Sequence, residues 1–155
     1  MMDTIVTVSE LLAAVPRITT ELSDDGILQA IYDVERFYVK DRIGDALYLA
    51  CLQYPAQHQI EIEGGVTDDG RVIEGLRQVI CHMAYAHLLY DNLYVSSFGT
   101  TLKKDDYSEH PSREDIYRLC HFHWTVGSAY MREFCSWKGI KLEPGANNDF
   151  FNEFV

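Results

Sequence analysis

Cys81-His82, His87 and Cys120-His121-Phe122-His123 are the residues of this chain best equipped for chemistry, because thiolate and imidazole groups are ligands for zinc and related ions. A helix turns about 100° per residue, so Cys81 and His82 point about 100° apart, and His121 and His123 about 200° apart. Neither pair converges as ligands at i and i+4 do. These side chains are therefore read as core or interface residues, with no metal ligand assigned. The four cysteines, Cys51, Cys81, Cys120 and Cys135, lie far apart in apolar helical patterns. That placement describes small buried hydrophobes in a reducing compartment. His58 and His110 fall in loops.

Other chemistry has less to build on. A nucleophile needs a base and an orienting acid, and no Gly-x-Ser-x-Gly elbow occurs. Gly64-Gly65 and Gly70 are not followed by the Lys-Ser/Thr of a phosphate-binding loop. Asp24-Asp25, Asp68-Asp69 and Asp105-Asp106 sit where helix caps and solvated turns are expected. No catalytic residue and no cofactor is assigned, and the chain is read as a non-enzyme.

The elements that position these residues follow from pattern and length. With 155 residues, 47% hydrophobic and 24% charged, the chain suits one domain that buries a single core. A formal charge of -11 disfavours proteins that coat nucleic acid, because phosphate binding relies on Lys and Arg. The same acidity suits a wall past which a duplex slides. The first residues lack a basic-then-apolar export signal, and no apolar run approaches the length of a membrane span.

Ser9 to Val15 reads as a short helix ended by Pro16. Ser23 caps a helix that runs to about Ile43, with Asp24 and Asp25 in its first turn and Ile27, Ile31, Val34 and Tyr38 on one face. Gly44 is expected to stop that helix in the left-handed conformation, and Asp45 to cap the next, which carries Leu47, Tyr48, Cys51 and Leu52 before Pro55. Gln57 to Gly70 reads as an exposed loop with a short strand at Ile60-Glu61-Ile62-Glu63. A central helix begins at Arg71, with Val72, Leu76, Val79, Met83, Ala86 and Tyr90 on one face and Ile73, Ile80, Ala84 and His87 beside them. Ser97 to Tyr107 forms an extended excursion or hairpin. Ser112 then caps a last long helix with Ile116, Cys120, His123, Gly127, Tyr130, Phe134 and Trp137 in a stripe, ended by Gly139. The expected fold is mainly α: a small bundle of about four to five helices with a short β-hairpin or extended arm. Residues 1–144 make the domain, and 145–155 an acidic tail with Phe150, Phe151 and Phe154.

The run Val39-Lys40-Asp41-Arg42-Ile43-Gly44-Asp45-Ala46-Leu47-Tyr48, followed by the long helix and by Phe98-Gly99-Thr100-Thr101-Leu102-Lys103-Lys104-Asp105-Asp106-Tyr107-Ser108-Glu109, resembles the head-tail connector proteins of tailed phages. These are the head completion, or adaptor, ring proteins, here of the crAss-like or related gut-phage type. The likeness runs roughly from Leu11 to Trp137, with the Gln57 to Gly70 stretch and the aromatic tail as departures. It implies a virion structural protein at the neck, assembled in the host cytoplasm. It also implies a homo-oligomeric ring, commonly twelvefold, bound to the portal above and the next tail component below, with DNA passing through the lumen without specific binding and no membrane contact. The segments free to reach neighbours are the excursion and the tail, so Phe98, Thr101, Leu102, Lys103, Lys104, Tyr107, Phe150, Phe151 and Phe154 are the expected contacts. Two other readings compete: a soluble helical adaptor or regulatory protein with a helical dimer interface, and a metal-dependent helical-bundle enzyme using Cys81, His82, His121 or His123.

Overall fold

A computed structural model of the chain describes residues 3–15, 23–95 and 113–141. Helix α1 (Val8–Ala14) opens on a capping box in which Thr7 accepts the Glu10 N–H at 3.2 Å and Glu10 accepts the Thr7 N–H at 2.9 Å. Helix α2 (Asp24–Val34) is capped by Ser23, as the sequence predicts. It continues without a break through a π-helical turn (Glu35–Val39) and a last α-helical turn (Lys40–Ile43). Helix α3 (Asp45–Gln53), a 3-10 turn (Pro55–Gln57) and helix α4 (Gln59–Glu63) follow. Strands β1 (Gly65–Val66) and β2 (Val72–Ile73) pair antiparallel, Gly65 opposite Ile73 and Val66 opposite Val72. Helices α5 (Gly75–Val95) and α6 (Arg113–Lys138) complete a mainly helical bundle, with one short β-hairpin among the described residues.

Three local expectations change. Ile60-Glu61-Ile62-Glu63 is the helix α4 and not a strand, because Ile62 reaches the core and Lys138 of α6 holds Glu61 at 2.9 Å. So short a helix stands only on such tertiary contacts. Val72 and Ile73, expected in the first turn of the central helix, belong to the hairpin, with Ile73 buried and Val72 exposed. Gly44 has positive φ but ψ of 156°, an extended conformation reserved for glycine, and Asp45 makes no side-chain cap. Gly44 instead donates to Lys40 and accepts from Tyr48, which hinges α3 directly onto the end of α2.

Packing centres on α5, whose buried residues, including Leu76, Val79, Ile80, Met83, Tyr85 and Leu89, cover most of its circumference. Its largest partner is α6. The axes come close at Gly127, where an added Cβ would stand 2.8 Å from Met83 Cγ and 3.3 Å from the Val79 carbonyl. The buried face of α6 is broader than the predicted stripe. Trp124, Ser128, Met131 and Cys135 are buried, while His123, Tyr130 and Trp137 are half-buried at its edge. The cause is a second neighbour: Tyr38 of the π turn meets Trp124 edge-on with ring centroids 5.0 Å apart. At the far end, Arg71 reaches Ser136 at 3.0 Å and Trp137 donates to Asp68 at 3.4 Å, fixing the hairpin to α6.

The hairpin is closed by two glycines whose backbones touch. A Cβ on Gly75 would lie 2.4 Å from the Gly64 nitrogen, and one on Gly64 would lie 2.5 Å from the Ile73 carbonyl, both at positive φ. Gly44 has the same backbone requirement with open space around it. Gly44→Ala is therefore expected to cost about 1–2 kcal/mol of backbone strain, and Gly75→Ala on the order of 3 kcal/mol or more, since backbone atoms cannot rotate aside. Urea unfolding of the two variants checks the ranking, and equal losses contradict it.

Candidate functional site

The expected contact residues, Phe98, Thr101, Leu102, Lys103, Lys104, Tyr107, Phe150, Phe151 and Phe154, lie outside the described residues, as does His110. Among the described residues no helix is long and apolar enough to cross a membrane. The exposed large apolar side chains include Phe37 of the π turn and the cross-strand pair Val66 and Val72.

The Cys/His group is divided by the fold. Cys81 and Cys120 point into the core, as do Cys51 and Cys135. Burial pushes the Cys81 thiol up to about 12 and those of Cys51 and Cys135 up to about 11, so none of these three is a thiolate near neutral pH. His121 is exposed and His87 half-buried. One histidine from each helix does come together: His82 of α5 and His123 of α6 place their Nδ1 atoms 2.9 Å apart. Intrahelical spacing could not show this meeting across 41 residues of sequence. Among the described residues, no three His, Cys, Asp or Glu side chains are grouped to hold a metal ion.

Glu35 belongs to none of the motifs that point to chemistry in the sequence. It is the first residue of the π turn and fully buried, with 0% of its surface exposed. Its carboxylate accepts the Ile5 N–H at 2.7 Å, the Val6 N–H at 3.0 Å and the Tyr48 hydroxyl at 3.0 Å. One side chain thus joins the segment leading into α1, the middle of the α2 rod and α3. The π turn helps to place it. Buried pairs recur at Ala30 and Ile31, Val34 and Glu35, and Tyr38 and Val39, a four-residue repeat that a wider turn accommodates better than 3.6 residues per turn. The signal available in the sequence was an acid in line with Ile27 and Ile31, at successive steps of four.

Desolvation dominates the electrostatics of this acid. Burial pushes Glu35 up from its ordinary 4.5 to about 7, with Glu10 adding repulsion and the three hydrogen bonds pulling back. Tyr48 is raised as well, by burial first and then by the charge of Glu35. Close by, Arg77 of α5 pairs with Glu10 of α1 at 3.3 Å and Glu63 of α4 at 3.4 Å. A hollow of about 300 Å³ beside this bridge is lined by Ile5, Pro55, Gln59 and Ile62. The arrangement serves as a clamp: polar groups are spent on joining elements.

Residues 39–137 match the model of the Family of unknown function (DUF6712), and the chain belongs to that family. No curated protein and no solved structure matches it. The matched span starts at the end of the π turn and includes His82, His123 and the Gly64–Gly75 contact, while Glu35 lies just before it.

The raised pKa of Glu35 fixes a sign. The folded chain holds this proton more tightly than the unfolded chain, so the stabilisation is complete below pH 4.5 and is lost as pH rises through about 7. Glu35→Gln removes the titration. The stability of the parent protein minus that of Glu35→Gln should fall by about 3 kcal/mol between pH 4 and pH 8.5, measured by urea unfolding. A difference that does not vary with pH contradicts the clamp's electrostatics.

Proposed function

We propose that the protein is a structural subunit of a tailed-phage virion that forms a ring beneath the portal, joins the DNA-filled head to the tail and lines the DNA passage. The observation that carries this reading is the run Ile43-Gly44-Asp45-Ala46-Leu47-Tyr48, similar to connector proteins, at the place where the α2 rod hinges onto α3. Further support comes from charge and architecture. A formal charge of -11 gives a lumen that repels phosphate. The helices α5 and α6 form a braced pair, linked in sequence by residues 96–112.

On this reading the bundle is the scaffold, and the contacts to neighbouring copies, to the portal and to the next tail component are made by residues 98–107 and 150–154. A ring requires each copy to present two different complementary surfaces, and reaching segments on a rigid body supply them. The bundle performs no catalysis. DNA is excluded from binding by charge.

Native mass spectrometry of the purified protein mixed with its portal tests the proposal. A ring of many copies on the portal is expected. The combined variant Phe98→Ser, Leu102→Ser, Tyr107→Ser should weaken assembly more than about tenfold while circular dichroism stays helical. A stable monomer or dimer that never joins the portal overturns the connector reading in favour of a soluble helical adaptor.

A further inference from the structure

His82 and His123 meet across the α5–α6 interface with their Nδ1 atoms 2.9 Å apart and their ring centroids 5.2 Å apart. The centroid separation exceeds the nitrogen gap by about one ring radius at each end, so both nitrogens lie on the line joining the centroids. The ring planes differ by 23°. The rings are therefore end to end and close to coplanar, each nitrogen aimed at the other, as in a linear hydrogen bond. Such a pair has room for one hydrogen. With none, two lone pairs face each other; with two, two N–H groups collide.

We infer that His82 and His123 share one proton in an in-line Nδ1–H···Nδ1 bond that locks the register of α5 against α6, and that a second proton at this contact opens the lock. In the neutral pair one ring takes the Nδ1–H tautomer and donates, while the other carries its hydrogen on Nε2 and accepts. Adding one proton to the pair, on the outer nitrogen of the donor ring, gives a charge-assisted imidazolium–imidazole bond. Adding another leaves no acceptor between the helices.

The surroundings favour the low-charge states. From α5, Tyr85 packs edge-on to His123 with centroids 4.6 Å apart, and from α6, Tyr130 packs edge-on to His82 at 5.8 Å. Phe122 flanks His123 at 5.2 Å. Burial lowers the proton affinity of His82, and the carboxylate of Glu74, at the junction of β2 and α5, partly restores it. A histidine lowered in the fold contributes stability that is present above its ordinary 6.5 and lost as pH falls below it. Acid therefore loosens the helix pair that leads into and out of residues 96–112. This inference is independent of the connector reading, because it concerns two side chains within the bundle.

Long-range proton–nitrogen spectra of the full chain labelled with nitrogen-15 histidine test it. At pH 7.5, one of His82 and His123 should be an Nδ1–H tautomer, with scalar coupling across the bond to the other Nδ1. Two Nε2–H tautomers, or no coupling, overturn the shared proton. As the pH is lowered from 7.5 the coupling should vanish while the chain is still helical by circular dichroism, and its persistence down to acid unfolding overturns the switch. In urea unfolding, the folding equilibrium of the parent protein should fall about tenfold further between pH 7.5 and pH 5 than that of the double variant His82→Leu, His123→Leu. Equal acid sensitivity overturns the switch as well. Should the double variant not fold, the spectra of the parent protein decide both claims.

Discussion

The close seating of α6 on α5 at Gly127 is the constraint on which the rest of the bundle depends. Without a side chain there, α6 approaches until Met83 and the Val79 carbonyl lie within contact of its backbone. That approach lets Met131 and Phe134 fill the interface fully, each with no exposed surface. The remaining sides of α5 then receive α1, α2 and α4. Because α5 is buried on nearly every side, these elements share one hydrophobic core. The hairpin obeys the same economy of space, with Gly64 and Gly75 letting the end of α4 touch the start of α5.

Polar groups inside this core act as joints. Glu35 joins the N-terminal segment, α2 and α3 through three hydrogen bonds, and the His82–His123 contact joins α5 to α6. Both depend on protons, with opposite signs. The buried carboxyl is at ease when protonated and gains from mild acid, whereas the histidine contact fails when acid supplies too many protons. Their windows overlap just below the ordinary 6.5 of a histidine. At Glu61 burial pushes the carboxyl up, but the hydrogen bond and charge of Lys138 outweigh it and hold the group below its usual range, so that pair weakens in acid.

Most of the helical architecture is legible in the residues. Ser23 before two aspartates, the apolar steps from Ile27 to Tyr38, the all-round apolar helix after Gly75 and the stop at Gly139 each carry a local signal that the fold keeps. Thr7 and Glu10 also carried one, the spacing of a capping box, although the helix was expected to begin at Ser9. What the residues do not announce are interactions between distant positions. Glu35 is marked only by standing in line with Ile27 and Ile31, and its partners Ile5, Val6 and Tyr48 come from other elements. Cys81 and His82 diverge on one helix and His121 and His123 on the other, and neither spacing shows that His82 meets His123. The two-residue strands around Thr67 to Arg71 are too short to show alternation, and the alternation that does occur, from Ile60 to Glu63, lies on a helix whose stability comes from Lys138 and the core. The expected contact residues on 98–107 and 150–154 belong to segments that such packing arguments do not reach.

A bundle so fully occupied with its own cohesion suits a scaffold, and an acidic one suits a passage for DNA. The central claim is that copies of this scaffold stand side by side on a portal and touch through the segments that leave α5 and follow α6. Electron cryomicroscopy of the reconstituted portal complex examines it most directly. The account predicts a closed ring of bundles beneath the portal, with the α5–α6 pair intact in each copy and residues 98–107 at the contact between neighbours. Isolated copies, or a two-fold dimer joined through the helix faces with the portal left bare, would contradict it.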